Sequence, residues 1–255
     1  MQIKILGWAG GIGGSLRTTS FLVDDDILID AGTGLTDLSL NDMSGIRHIF
    51  LTHSHMDHIA GLPLLADSMY GVHDEPIVVH GQEKTLKALK AHIFNWVIWP
   101  DFSELPSKEN PCIRFQIMSP GEKINIRARE LEMVPVNHTV PGVGYVIANK
   151  RGVIAFSGDT TTNDSLWEVL NGYEHLDMLF VESAFADHDL EIAKVSKHYC
   201  PQLLGKDMMK LNHRPQVWLT HFKPGEEELI YEECVAAMPD FSIKRLSGGE
   251  IFNFE

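Results

Sequence analysis

Short apolar runs separated by turn-forming residues fill the first part of the chain. Runs of β-branched and apolar residues bounded by glycine and aspartate predict strands joined by tight turns. Strands are predicted in this way over residues 2–6, 18–23, 27–30 and 46–52. A short helix is expected over 35–41, so the chain opens as a hairpin-rich sheet that leads into a polar segment after residue 52.

Helical patterns join the strands farther along the chain. Amphipathic spacing predicts helices over 61–70, 82–93, 165–171, 201–211 and 225–238. Further strands are predicted over 77–80, 113–118, 131–136, 144–148, 153–157, 178–182 and 217–220. Strands and helices in both halves indicate two packed β-sheets with helices outside. With no repeat and no linker, we interpret residues 1–255 as a single domain with an aromatic-rich insert near 92–112.

The hexapeptide at 53–58 is the strongest chemical signal in the sequence. It reads His53-Ser54-His55-Met56-Asp57-His58 and follows a predicted buried strand. In an extended segment residues i and i+2 point the same way, so His53 and His55 can share one metal ion. If a helix begins next, Asp57 and His58 lie on its first turn and can serve a second ion. Imidazole and carboxylate ligands suit zinc and neighbouring transition metals.

Three further candidate ligands follow predicted strands. His138, Asp159 and His221 each occupy a loop position just after an apolar run, where a rigid scaffold usually presents its chemistry. Together with the hexapeptide they complete a dinuclear set. In this hypothesis one ion is held by His53, His55 and His138, the other by Asp57, His58 and His221, and Asp159 bridges the two.

With these residues in this order, the sequence resembles the metallo-β-lactamase superfamily. That resemblance implies an α/β fold, a four-layer αβ/βα sandwich of two mixed β-sheets flanked by helices, with the metal site at one edge. The extended motif over 53–68 is similar to the signature of class II 3′,5′-cyclic-nucleotide phosphodiesterases, except that Met56 stands where leucine is usual. The segments 92–102, 181–185, 196–201 and 220–225 are similar to the same family.

The resemblance implies hydrolysis of cyclic AMP or cyclic GMP to nucleoside 5′-monophosphates. Two divalent ions can share a water and lower its pKa towards neutrality, and the resulting bridging hydroxide would attack the cyclic phosphorus. Zn²⁺ is the expected metal, with Mn²⁺ or Fe²⁺ as alternatives. The departing 3′-oxygen benefits from a proton donor. His198 is the candidate donor and Glu182 would orient it, since a glutamate and a histidine at similar places in related tRNA 3′-end processing endonucleases have this kind of role. The predicted catalytic residues are Asp57, Glu182 and His198.

The aromatic segment leaves two interpretations open. Trp96 and Trp99 can stack on a purine, or they can lie buried against a neighbouring subunit. In the second interpretation the neighbouring subunit is a second copy of this chain, since we expect a homodimer.

Composition changes the picture chiefly by exclusion. The chain has 21 Lys and Arg against 35 Asp and Glu, a formal net charge of −14. This disfavours nucleic-acid polymers and anionic membranes as partners, whereas a small cyclic nucleotide can still be drawn in by bound cations. The three cysteines are far apart in sequence, which favours a reduced, cytoplasmic setting.

Three alternative functions remain. A tRNA 3′-end processing endonuclease and a thioester or lactone hydrolase would use the same fold, although the former calls for a basic surface. A non-enzymatic binding protein is disfavoured because none of the seven ligand positions is lost.

Overall fold

The computed structural model describes residues 1–254 and divides them into two compact units. Unit 1 comprises Met1–Gly7, Arg17–Ser119 and Gly248–Asn253, and unit 2 comprises Trp8–Leu16, Pro120–Ser247 and Phe254. Each unit contains one seven-stranded sheet. The single-domain interpretation of the sequence stays a prediction.

The sheet of unit 1 changes from antiparallel to parallel pairing at its centre. Its elements in chain order are β1 (Gln2–Gly7), β2 (Ser20–Val23), β3 (Ile27–Ile29), α1 (Leu40–Met43), β4 (His48–Phe50), α2 (Met56–Ile59), α3 (Leu62–Ser68), β5 (Ile77–Gly81), α4 (Glu83–His92) and β6 (Ile113–Ile117). Strands β1 to β3 pair antiparallel, whereas β3 to β6 pair parallel. Parallel neighbours need crossover connections, and the helices α1 to α4 lie in those connections.

Unit 2 repeats this arrangement. Its elements are β7 (Lys123–Ile126), β8 (Arg129–Pro135), β9 (Val143–Asn149), β10 (Gly152–Phe156), α5 (Ser165–Asn171), β11 (Met178–Glu182), α6 (Leu190–Ser196), α7 (Pro201–Met208), β12 (Gln216–Thr220), α8 (Glu227–Ala237) and β13 (Ser242–Arg245). Strands β7 to β10 pair antiparallel and β10 to β13 pair parallel. A last strand, β14 (Ile251–Asn253), returns to unit 1 and pairs antiparallel with β1.

Fully buried apolar side chains anchor both sheets. In unit 1, Ile49 and Val79 are partners on adjacent strands, and Leu62 joins the same core cluster from α3. In unit 2, Leu179 and Val217 are partners in the same way. Burying one such side chain stabilises a fold by about 1.5–3 kcal/mol. The cores therefore hold rigid the strand ends from which the polar loops leave.

The aromatic segment is exposed at its tip. Residues 93–112 contain no helix or extended strand in the structure described, and Trp96 is 58% exposed while Phe94 and Phe102 are buried. Whether Trp96 and Trp99 serve a purine pocket or a dimer contact stays a prediction. Within residues 1–254, none of the helices combines the length and apolarity that crossing a bilayer requires.

Candidate metal centre

The hexapeptide in unit 1 has the predicted change from extended chain to helix. It follows β4 after Leu51 and Thr52, and His55 is the extended residue that caps α2. The ring centroids of His53 and His55 are 4.6 Å apart, and their ligating atoms lie within 4.8 Å of each other. On the helix, Asp57 Oδ2 lies 3.7 Å from His58 Nε2. Unit 1 thus presents two adjacent pairs of metal-ligand side chains.

Asp30 holds this loop in place from the end of β3. Its buried carboxylate accepts bonds from the Thr52 amide and hydroxyl, each at 2.8 Å, and lies 2.6 Å from His58 Nδ1. Burial raises the pKa of the Asp30 carboxyl, while His58 and Thr52 oppose that rise. Because Nδ1 is bound to Asp30, Nε2 is the His58 nitrogen that can bind a metal. A carboxylate that bonds the other ring nitrogen of a ligand histidine is typical of metal sites.

Unit 2 brings together the three remaining predicted ligands. His138 follows β8, Asp159 follows β10 and His221 follows β12. Asp159 Oδ2 lies 3.2 Å from His221 Nε2, and the ligating atoms of Asp159 and His138 lie within 4.8 Å of each other. Asp159 is therefore the shared member of two pairs of possible ligands, and its bridging role stays a prediction.

Two local features hold the histidines of unit 2. His138 Nδ1 bonds the Lys197 carbonyl at 3.1 Å, and the Lys197 ammonium donates back to the His138 carbonyl at 3.1 Å. His221 has a left-handed backbone, with φ of 65°, and lies against Gly10. A Cβ at Gly10 would stand 2.6 Å from the His221 carbonyl oxygen, so only glycine permits this approach.

Glu182 and His198 form a buried pair beside Asp159. Glu182 Oε1 lies 2.8 Å from His198 Nδ1 and accepts the Thr160 amide at 2.7 Å. The ligating atoms of Asp159, Glu182 and His198 all lie within 4.8 Å of one another. The His198 ring is also stacked on the His221 ring at 5.2 Å. The structure thus brings together the two residues that the sequence predicts to act as proton donor and orienting partner.

The charges of this pair are coupled. Burial lowers the pKa of His198, but the neighbouring Glu182 and Asp159 carboxylates together outweigh it, so the pKa of His198 lies above its usual value. Burial raises the pKa of Glu182, and His198 opposes the rise. A hydrogen-bonded imidazole with a raised pKa can hold a proton near neutral pH and release it to a departing oxygen.

Asp207 is a supporting residue that the sequence does not reveal. It is buried in α7 and accepts bonds from the Tyr199 hydroxyl at 2.7 Å and the Asn163 amide at 3.0 Å. Tyr199 is next to His198 in the chain, and Asn163 lies four residues after Asp159. Asp207 therefore connects the two loops of unit 2 that carry His198 and Asp159. Asp207 belongs to no sequence motif, and its role becomes visible only from its contacts in the folded chain.

The donor chemistry of both units fits divalent metal ions. Unit 1 offers three imidazoles and one carboxylate, and unit 2 offers two imidazoles and one carboxylate among the predicted ligands. This mixture of nitrogen and oxygen donors suits Zn²⁺, and it also accepts Mn²⁺ or Fe²⁺.

The chain belongs to the beta-lactamase superfamily domain family, whose model matches residues 25–237. Two seven-stranded mixed sheets with helices in their parallel crossovers are the fold of solved metallo-β-lactamase-fold proteins, which confirms the predicted fold class. Among solved structures, unliganded yeast PDE1 matches with a TM-score of 0.80 over 98% of both chains at 20% identity.

Curated relatives include two classes of phosphodiester-cleaving protein. A protein of Yersinia pestis named "probable 3′,5′-cyclic-nucleotide phosphodiesterase" is 24% identical over 207 residues, 72% of this chain and 59% of that protein. Ribonuclease Z of Pyrococcus abyssi is 35% identical over 132 residues, 49% of this chain and 39% of that protein. The chain spans about half the length of these curated relatives. The similarity to cyclic-nucleotide phosphodiesterases seen in the sequence is confirmed.

Proposed function

We propose that this chain is a metal-dependent phosphodiesterase that hydrolyses 3′,5′-cyclic AMP or cyclic GMP to the nucleoside 5′-monophosphate. The observation that carries the reaction class is the buried Glu182–His198 pair beside Asp159, because its imidazole could donate a proton to a departing oxygen there. The net charge of −14 is what favours a small cyclic nucleotide over RNA as the substrate. The family and the Yersinia pestis relative, aligned over 72% of the chain, support the reaction class.

The seven predicted ligands would hold two ions, Zn²⁺ in the first instance. His53, His55 and His138 are assigned to one ion, Asp57, His58 and His221 to the other, and Asp159 to both. Bound divalent ions would lower the pKa of water and withdraw charge from the phosphoryl oxygens. Asp30 and the Lys197 carbonyl each fix one ring nitrogen of a ligand histidine, so the opposite nitrogen is directed to metal.

His198 would act as the general acid in this reaction. Its Nδ1 is held by Glu182, so Nε2 is the atom that can carry a proton to the 3′-oxygen as the bond to phosphorus breaks. Glu182 is then a positioning residue, which keeps the imidazole oriented and its pKa raised. General acid catalysis of this kind contributes about 10²–10⁴-fold to rate.

Ribonuclease Z activity is the second candidate, favoured by the 35% identity to the Pyrococcus abyssi protein over 132 residues. Charge argues against it. Two dications would bring the net charge only from −14 to about −10, so RNA would meet repulsion over its whole footprint. Two of the three lysines of α4 lie near carboxylates, since Lys87 is 2.7 Å from Glu83 and Lys90 is 3.7 Å from Asp101.

The test compares substrates on one preparation of the metal-loaded protein. Cyclic AMP, cyclic GMP, a tRNA precursor and a thioester are incubated separately, and products are resolved by chromatography. We expect 5′-AMP or 5′-GMP as the product. Cleavage of the tRNA precursor or of the thioester without turnover of either cyclic nucleotide would overturn the proposal.

Variants then separate the assigned roles. His198→Ala is expected to lower kcat by about 10²-fold or more while leaving bound metal unchanged. His53→Ala is expected to lose metal together with activity. His175→Ala, at an exposed histidine outside the predicted ligands and outside the segments similar to the phosphodiesterases, should alter neither and serves as the control.

A further inference from the structure

A second group of metal-ligand side chains in unit 2 shares no residue with the candidate centre. His188 and Asp189 lie on a 3₁₀ turn after β11, and Glu226 lies just before α8. His188 Nε2 is 3.7 Å from Asp189 Oδ2 and 3.4 Å from Glu226 Oε1, and the three ligating atoms all lie within 4.8 Å of one another. Side chains separated by some forty residues therefore converge on one point.

These spacings match the edge of a zinc coordination tetrahedron. Zn–N and Zn–O bonds of about 2.0–2.2 Å place neighbouring tetrahedral ligands about 3.3–3.5 Å apart. The 3.4 Å separation to Glu226 has this value, and the 3.7 Å separation to Asp189 is a few tenths of an ångström longer.

The chemistry of the group distinguishes it from a cluster of surface acids. An imidazole between two carboxylates supplies one nitrogen and two oxygen donors, a set that zinc accepts with water as the fourth ligand. His188 is 56% exposed at its side chain, while Asp189 and Glu226 are 32% and 40% exposed. The group is thus open enough to admit an ion from solvent.

The two backbone segments that carry these ligands already touch. The Lys223 amide donates to the Ala184 carbonyl at 2.9 Å, which joins the loop after β12 to the loop after β11. The first loop begins at His221, and the second contains Phe185, whose ring lies 5.8 Å from that of His198. An ion held at His188, Asp189 and Glu226 would fasten the far ends of both loops.

We propose that His188, Asp189 and Glu226 form a peripheral Zn²⁺ site that clamps the loops after β11 and β12. This inference does not depend on the substrate proposed above, because it concerns binding of the ion and the mobility of the loops. The competing explanation is that His188 pairs with both carboxylates and binds no metal.

The chain provides a matched control pair. His175 Nε2 lies 3.4 Å from Asp177 Oδ2, and the His175 side chain is 57% exposed. The pair has the same spacing and exposure as the proposed site, but no third side chain completes a metal-ligand group there among the described residues. His175→Ala therefore removes an equivalent histidine without removing the proposed site.

The test measures zinc uptake by the holoprotein. Wild type, His188→Ala, Glu226→Gln and His175→Ala are dialysed against buffered free Zn²⁺, and bound zinc is counted by mass spectrometry. We expect wild type and His175→Ala to bind one equivalent more than His188→Ala, and Glu226→Gln to bind that equivalent at least about tenfold more weakly. Hydrogen exchange should show zinc-dependent protection of residues 186–189 and 224–227 in wild type beyond any seen in His188→Ala, which keeps the candidate centre.

Coincident zinc isotherms for wild type and His188→Ala would overturn the site, as would protection of the two loops that does not depend on zinc. Cyclic-nucleotide turnover is measured on the same preparations. Because His53→Ala keeps His188, Asp189 and Glu226, it should still take up the peripheral equivalent. Failure of the proposed hydrolase function is therefore distinguishable from failure of the zinc clamp.

Discussion

His80 provides a direct test of how a buried imidazole couples folding to pH. The residue lies in β5, where its ring is stacked on Phe50 at 4.2 Å and its Nε2 is 3.1 Å from His48 Nδ1. Burial, assisted by repulsion from His48, lowers the pKa of His80 to about 3. His80→Phe keeps an aromatic ring against Phe50 but removes the group that titrates.

The magnitude follows from the difference in pKa between the folded and unfolded states. The imidazole has a pKa of 6.5 when unperturbed, so below that pH the unfolded chain takes up a proton that the folded chain refuses. The stability due to neutral His80 is therefore complete above pH 6.5 and is lost as the pH falls towards 3. Between pH 7 and pH 5 the loss is about 2 kcal/mol of unfolding free energy.

Denaturant unfolding at pH 7 and pH 5, followed by tryptophan fluorescence, measures this loss. All other titrating groups are common to wild type and His80→Phe, so the difference between the two proteins reports His80 together with its contact to His48. We expect wild type to lose about 2 kcal/mol more than the variant. Val79→Ala, a change at a buried neighbour without a titrating group, should destabilise equally at both pH values. Equal losses in wild type and His80→Phe would refute the reasoning.

Two further substitutions test the supports of the candidate centre. Asp30→Asn keeps the shape of the side chain but removes the charge that orients His58, so metal affinity in a chelator competition should fall about 10–100-fold. The control Asp37→Asn, at an exposed carboxylate, should leave the affinity unchanged. Unchanged affinity in Asp30→Asn would contradict the role of Asp30. Gly7→Ala would place a Cβ 1.9 Å from the Thr18 carbonyl oxygen, so a loss of about 3 kcal/mol or more is expected in thermal unfolding, and an unchanged Tm would show that the strands can separate without cost.

Local secondary structure could be predicted from the sequence where it depends on residues that are close together in the chain. The change from extended chain to helix at His55 follows from the order of the hexapeptide, and the structure has it at that residue. The helix predicted over 82–93 is Glu83–His92 in the structure, because its apolar spacing agrees with its tertiary packing. The helix predicted over 35–41 is instead a 3₁₀ helix at Thr33–Asp37 followed by the separate short helix α1, Leu40–Met43.

Long-range partners could not be predicted in this way. Asp30 closes a predicted strand and has no motif, yet the parallel register of β3 and β4 brings it to Thr52 and His58. Strands β7, β13 and β14 were not predicted, because their half-exposed residues carry little apolar signal and pairing with neighbours defines them. The His48–His80 pair likewise depends on register, since 32 residues separate its members.

The left-handed residue that ends α6 has an evolutionary consequence. Lys197 adopts φ of 54°, a conformation in which glycine would relieve backbone strain of about 1 kcal/mol or more. The Lys197 ammonium bonds the His138 carbonyl, and that bond would be lost with the side chain. Selection for stability alone would favour glycine at this position. The lysine combines backbone strain at the helix end with a bond to the loop that carries His138, so screens for thermostability and for catalysis should choose different residues at 197.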